Sequence, residues 1–126
     1  QVKNKMTPAT AAAIAGGIQI SAPNGSQYLT SPCTVSIVED PIPYQRLFDA
    51  SLLKPAIQVH QNVKTSWVLI SLTEGKFHQV RKMVAAVHHR CIRLIRVAIE
   101  AIYLGDLPAG QVRELEEADF FKLLDL

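Results

Sequence analysis

The chain has 126 residues, of which 48% are hydrophobic and 19% are charged, and its formal net charge is +2. This composition predicts one soluble globular domain with its own core, and it excludes a disordered tail. The net charge is too small to indicate a partner, and no apolar run is long enough to span a membrane.

The charges are unevenly distributed along the chain. Between Glu74 and Glu100 lie six basic residues, Lys76, Arg81, Lys82, Arg90, Arg93 and Arg96. From Asp106 onward there are only two basic residues but six acidic ones, Asp106, Glu114, Glu116, Glu117, Asp119 and Asp125. A basic centre followed by an acidic end is typical of a localised anion-binding surface.

The N-terminal third contains clear signals for a helix and strands. Thr7 as N-cap, Pro8 at the first helical position and a Gly-Gly stop predict a helix over about residues 8 to 16. Strands are predicted at 18–20 and 34–38, with a turn at 23–26.

The middle of the chain changes character twice. Residues 39 to 64 contain three prolines and no sustained periodicity, which predicts a variable insertion with one helical turn near Tyr44 to Leu53. Residues 67–72 read WVLISL, nearly continuous in apolar residues, and we expect this strand to be central in its sheet.

The stretch EGKFHQVRKM, residues 74 to 83, opens the next predicted helix. One apolar arc of its helical wheel is formed by Phe77, Val80, Met83, Val84 and Val87. Arg81 falls at the border of this arc, where its guanidinium group is either partly buried along a cleft or extended into solvent. Helix geometry alone favours solvent.

The C-terminal part predicts a strand, a strand pair and a helix. Residues 91–99 alternate and are rich in β-branched residues, 103–105 and 111–115 form the predicted pair, and 116–124 form a helix with acids in its first turn. The mixture of elements without βαβ repetition indicates an α+β fold, in which a mixed, largely antiparallel sheet carries helices on one side.

Several kinds of chemistry are not indicated. Cys33 and Cys91 are isolated, which predicts free thiols in a reducing cytoplasm and no metal site. His88 and His89 are adjacent and point to opposite sides of a regular element, so a solvated helix end is the better interpretation.

Four blocks of the sequence, in order and spacing, resemble the C-terminal half of RsuA/RluE-like pseudouridine synthases. They are EGKFHQVRKM at 74–83, RLIR at 93–96, LGDL at 104–107 and G-x-x-REL at 110–115. The resemblance covers residues 65 to 115 well and residues 1 to 38 more loosely.

The resemblance implies isomerisation of a uridine in RNA to pseudouridine, without a cofactor, and ribosomal RNA is the expected substrate. In this family a catalytic aspartate lies in a GRLD segment of the preceding half, and Arg81 matches the basic residue that pairs with it. Leu94 matches the apolar residue that lines the uracil pocket. The candidate RNA contacts are Lys76, His78, Gln79, Lys82, Arg93 and Arg96. Strand alternation points Arg93 away from Leu94.

The chain departs from the family in one important respect. It contains no GRLD segment, and the nearest similar stretch, Arg46-Leu47-Phe48-Asp49, has an extra residue and no Leu-rich continuation, so we reject Asp49 as the nucleophile. Because the chain also begins at Gln1, we expect the C-terminal subdomain of a two-part catalytic domain, inactive by itself and needing its N-terminal half. The alternatives are a non-catalytic α+β RNA-binding module and a domain whose basic helix makes only surface ion pairs.

Overall fold

A computed structural model of the chain describes residues 1–43, 64–105, 107 and 110–125. The chain divides into two compact units, Gln1–Glu39 with Pro55–Arg93 and Asp40–Lys54 with Leu94–Leu126. The strands are β1 (Val2–Lys3), β2 (Gln19–Ser21), β3 (Gln27–Leu29), β4 (Thr34–Val38), β5 (Thr65–Ser71), β6 (Ala98–Ile99) and β7 (Ile102–Tyr103). The helices whose bounds lie within the described residues are α1 (Pro8–Ala15), α2 (Gln79–Ala86) and α3 (Glu117–Leu123).

Helix α1 begins and ends close to where its capping residues predict. The hydroxyl oxygen of Thr7 accepts a hydrogen bond from the backbone N–H of Thr10 at 3.2 Å, and Pro8 occupies the first turn. After the helix, Gly17 has φ 101°, and a Cβ at this position would lie 2.6 Å from the carbonyl oxygen of Thr30. Only glycine fits such a left-handed residue against a neighbouring backbone.

The predicted strand at 67–72 is central, as expected. In the first unit β5 lies between β1 and β4, and it pairs with both in antiparallel fashion. Strand β3 was not predicted. It pairs with β2 across the predicted turn.

The α+β class is confirmed, and all strand pairs among the described residues are antiparallel. The described strands form three separate sheets, of three, two and two strands. The predicted insertion at 39–64 and its helical turn lie largely outside the described residues.

The core of the first unit lies where α1 packs against β4 and α2 packs against β2. Its buried side chains are Val2, Met6, Ala11, Ile14, Ile20, Met83, Val84 and Cys91. The apolar arc of the second helix is therefore confirmed at its centre. It is wrong at Phe77, which is 59% exposed, because the helix begins only at Gln79 and the helical wheel does not extend to Phe77.

The C-terminal segments differ from their sequence-based expectations. The predicted strand at 91–99 is reduced to β6, apart from an isolated bridge between Val2 and Cys91, and residues 111–115 form no strand. Alternation alone does not produce a strand, because a strand needs a partner with which to exchange hydrogen bonds. Helix α3 is confirmed, with Glu117 and Asp119 in its first turn.

The adjacent histidines have different environments. His88 is exposed with φ 66° just after α2, as predicted for a solvated helix end. The same interpretation is wrong for His89, which is 7% exposed and whose Nδ1 lies 2.9 Å from the carbonyl oxygen of Lys3. Both cysteines are free, as expected. None of the described helices has the length and apolar character needed to cross a membrane.

Candidate functional site

The carboxylate of Glu74 is the centre of a hydrogen-bond network at the start of the basic stretch. It accepts hydrogen bonds from the hydroxyl group of Tyr28 at 2.5 Å, the backbone N–H of Ser31 at 2.8 Å and the side-chain amide of Gln79 at 2.9 Å. These donors come from β3, from the loop that follows β3 and from the first turn of α2. Glu74 therefore joins the start of α2 to β3 and its following loop, which are 46 and 43 residues away in sequence.

Gln79 completes the network from the helix side. It is 4% exposed, and its side-chain oxygen accepts a hydrogen bond from the backbone N–H of Lys76 at 2.9 Å. Its own backbone N–H donates to the carbonyl oxygen of Lys76 at 3.0 Å. Both polar ends of the Gln79 side chain are thus used inside the protein, where they fix the loop that precedes α2.

The hydrogen bond between Tyr28 and Glu74 shifts the pKa of both groups. It is the largest cause that lowers the pKa of Glu74 below 4.5, and the N–H of Ser31 lowers it further. The same bond is the largest cause that raises the pKa of Tyr28 above 10.0, because the phenolic proton is held by a carboxylate. Glu74 is therefore ionised at neutral pH and acts as an acceptor that organises the loop.

Two lysines of the basic stretch are placed against aromatic rings. The ammonium group of Lys76 lies 4.9 Å from the centroid of the Tyr28 ring. That of Lys82 lies 5.2 Å from the centroid of Phe77 and also donates to the carbonyl oxygen of Ser21 at 2.6 Å. Their positive charges are held in defined positions on the first unit by these contacts.

Arg81 lies in the first turn of α2 and its side chain is exposed, so of the two alternatives the solvent-facing one is realised. Within the part of the chain that the structure describes, its guanidinium group has no hydrogen-bond or ion-pair partner. Burial is the largest cause that lowers the pKa of the Gln1 α-amino group, and the positive charges of Arg93 and Arg81 lower it further. Both guanidinium groups therefore lie near the residue at which the chain enters β1.

Phe77 and His78 form an exposed aromatic pair between the two lysines. Their ring centroids are 3.9 Å apart and the ring planes differ by 15°, so the rings are stacked. His78 is the N-cap of α2 and has φ 51°. Its carbonyl oxygen accepts a hydrogen bond from the backbone N–H of Lys82 at 3.0 Å.

Leu94 and Arg96, the remaining candidates, belong to the second unit. Leu94 is 46% exposed and Arg96 is also exposed. Arg96, Arg113, Tyr103 and Leu115 are among the residues that line an open cavity of about 270 Å³. Among the described residues, no cluster of three or more His, Cys, Asp or Glu side chains could hold a metal ion.

The sequence identified the cations of this site together with His78 and Gln79, but it missed Tyr28, Ser31 and the exposure of Phe77. Nothing in the sequence marks Tyr28 or Ser31 as neighbours of Glu74, because these contacts join residues 46 and 43 positions apart. Phe77 was assigned to the apolar arc. Its neighbour His78, a residue type that tolerates positive φ better than most, was the available signal that the helix begins later.

Comparison with known proteins identifies a class of RNA-modifying enzymes. No family model matches the chain. The ribosomal large subunit pseudouridine synthase E of Vibrio parahaemolyticus is 32% identical over 88 residues, which cover 70% of this chain and 34% of that protein. The protein of the same name from Xanthomonas campestris is 42% identical over 59 residues, or 47% of this chain and 32% of that protein.

A second group of relatives carries a different name. The ribosomal small subunit pseudouridine synthase A of Escherichia coli is 35% identical over 72 residues, covering 56% of this chain and 30% of that protein. The chain is thus homologous to RsuA/RluE-like pseudouridine synthases, and the resemblance seen in its sequence is confirmed. It spans about a third of the length of the curated relatives that it matches.

Proposed function

We propose that this chain contributes the arginine side of the active site in an RNA pseudouridine synthase that acts on a uridine of ribosomal RNA. The observation that carries the proposal is Arg81, an exposed arginine with no partner among the described residues, on a loop and helix fixed by Glu74 and Gln79. The names of the relatives support ribosomal RNA as the substrate.

In the proposed reaction the uracil is detached from its ribose, turned and rejoined through carbon, at a catalytic aspartate that this chain does not contain. Arg81 pairs with that aspartate, keeps it ionised by lowering its pKa and fixes its carboxylate through the planar guanidinium group. The aspartate belongs to the N-terminal half of the catalytic domain.

The other candidates have supporting roles in this proposal. Leu94 lines the uracil pocket, and phosphates of the RNA are bound by Lys76, Lys82, Arg93 and Arg96. His78 is a further RNA contact that does not bind a phosphate. Gln79 is buried and bonded inside the protein, so we assign it to holding the loop. We expect the 126-residue chain alone to bind RNA without turnover.

The test is uridine isomerisation by the longest open reading frame that encodes this chain, with Arg81→Ala and Arg81→Lys beside it. A positioned, charge-stabilising group typically contributes about 100-fold or more to kcat, so Arg81→Ala should lose at least that, while Arg81→Lys should recover part of it. Arg90 is also exposed and follows the same helix, so Arg90→Ala is the matched control and should stay active.

Two results would contradict the proposal. Full activity of Arg81→Ala would remove Arg81 from the active site. A reading frame with no Gly-Arg-Leu-Asp segment and no isomerase activity, but with salt-sensitive RNA binding, would favour the non-catalytic RNA-binding module.

A further inference from the structure

The stacked rings of Phe77 and His78 are unusual for their exposure and their fixed geometry. Phe77 is 59% exposed, and the core of the first unit does not include it. His78 is held in the left-handed region at φ 51°, which a residue with a Cβ adopts only at an energetic penalty. The cost of such a conformation is offset where the surroundings fix the backbone on either side of the residue.

The network around Glu74 supplies those surroundings. Lys76 precedes the pair and Gln79 follows it, and they are joined by two hydrogen bonds of 2.9 and 3.0 Å. The Gln79 amide is in turn fixed by the Glu74 carboxylate at 2.9 Å. Both ends of the short segment that carries the two rings are therefore tied to the body of the unit.

The charges beside the rings are positive. Lys76, Arg81 and Lys82 lie within four residues of the pair, and the ammonium group of Lys82 is 5.2 Å from the Phe77 ring. The nearest acid in sequence, Glu74, has its carboxylate occupied by internal donors. A preformed aromatic surface between cations is complementary to single-stranded nucleic acid, in which bases stack on rings and phosphates lie close to ammonium groups.

We propose that Phe77 and His78 form a stacking platform for an unpaired base of the bound RNA, distinct from the uridine that is isomerised. This inference rests on the proposed function in that it assumes an RNA ligand. The platform reads the face of a base, which every base has, so it selects unpaired RNA over duplex without selecting a sequence. Lys76 and Lys82 then hold the phosphates on either side of the stacked nucleotide.

The experiment compares two labelled probes, a 12-residue oligoadenylate and an abasic oligonucleotide of the same length, which keeps the phosphates but has no bases. Phe77→Ala and His78→Asn each remove one ring, and asparagine tolerates the positive φ of position 78. Phe120→Ala is the matched control, because Phe120 is 39% exposed and also pairs with a neighbouring aromatic, Phe121.

We expect Phe77→Ala and His78→Asn to weaken oligoadenylate binding by roughly fivefold to 100-fold, the range for loss of one stacked base. Binding of the abasic probe and the dependence of affinity on salt should not change, since the phosphate contacts remain. Phe77→Tyr should bind as well as the unsubstituted chain.

Three outcomes would overturn the platform. Equal losses for both probes would mean that the rings act through the shape of the loop, and unchanged oligoadenylate binding would mean that no base stacks there. Absence of RNA binding by the unsubstituted chain would overturn the platform together with the proposed RNA contacts. If the encoded enzyme has no isomerase activity but the difference between probes remains, only the proposed reaction fails.

Discussion

The two units of this chain differ in how they bury their apolar side chains. Every side chain that is buried among the described residues belongs to the first unit, including Ile14 and Met83 at 0% exposure. The described part of the second unit buries none, and Val112 is 91% exposed there. Its order relies on hydrogen bonds such as Leu104 N–H to Val97 O at 2.8 Å.

This difference shows where a functional side chain can be positioned by the chain itself. A packed core holds the elements that carry Glu74, Gln79 and Arg81, so their geometry is determined inside the first unit. Leu94 and Arg96 lie on segments with little burial. We infer that the arginine side of the proposed site is the better organised part of this chain.

The largest difference between the two units is expected in the free energy of unfolding lost when an apolar side chain is truncated. Met83→Ala removes a fully buried side chain, and such truncations typically lower the free energy of unfolding by about 2–5 kcal/mol. Val112→Ala should change it by less than about 0.5 kcal/mol, since Val112 is almost fully exposed. Urea unfolding followed by circular dichroism measures both, and equal losses would contradict the contrast between the units.

A smaller difference is expected between two glycines with similar backbone angles. Gly17 in the first unit and Gly110 in the second have φ of 101° and 81°, and a Cβ has open space only at Gly110. Gly17→Ala should lose about 2 kcal/mol or more, because the unfavourable φ is joined by a contact with the backbone of Thr30. Gly110→Ala has only the unfavourable φ and should lose about 1 kcal/mol.

The same urea measurement, made with each glycine variant, decides between these expectations. Gly16→Ala is a further control, because Gly16 has an ordinary helical φ of −75° and its nearest Cβ neighbour would lie 3.6 Å away. If Gly17→Ala lost no more unfolding free energy than Gly16→Ala, the close approach of residue 17 to Thr30 would not contribute to stability.

The smallest expected effect is the pH dependence that Glu74 contributes to the first unit. Its pKa is lowered in the folded chain, so the stabilisation is present above pH 4.5 and is lost as the pH falls through the lowered value. The stability difference between the unsubstituted chain and Glu74→Gln should therefore shrink between pH 6 and pH 3.

Tyr28→Phe tests the cause of this dependence. The substitution removes the hydroxyl group that is the main reason for the lowered pKa of Glu74. It should therefore also reduce the loss of stability between pH 6 and pH 3. Conversely, the contribution of Tyr28 is present below pH 10.0 and is lost as the pH rises through its raised pKa. If both variants lost as much stability between pH 6 and pH 3 as the unsubstituted chain does, groups other than Glu74 would be responsible for that loss.

Sequence reasoning succeeded where the determining interactions are local or strongly periodic. The cap at Thr7 and the proline after it place the start of α1, and the apolar run before Ser71 places a central strand. Met83 and Val84 were correctly assigned to the core because they lie one turn inside a helix, where the wheel holds. The prediction of the apolar arc was wrong at Phe77, because the helix begins two residues later than the pattern indicates.

Some residues of the candidate site can be found from the sequence, and others only from the structure. Arg81 and its neighbouring lysines can be found from the sequence, because a dense basic stretch within a family motif is visible there. The acceptor role of Glu74 cannot, because its donors Tyr28 and Ser31 come from a hairpin and a loop far away in the chain. The predicted functions of Leu94 and of the RNA-contacting residues stay predictions.

The sequence by itself determined the α+β class, the central strand, the first helix and the resemblance to pseudouridine synthases, since these depend on near-neighbour patterns and on the order of motifs. Only the tertiary structure decided that Gln79 is buried, that Phe77 is exposed and stacked on His78, and that Arg81 is free of partners among the described residues. The physical reason is that burial and hydrogen bonding depend on which distant segments meet. In EGKFHQVRKM, Glu74 and Gln79 hold the loop, and Phe77, His78 and Arg81 are exposed.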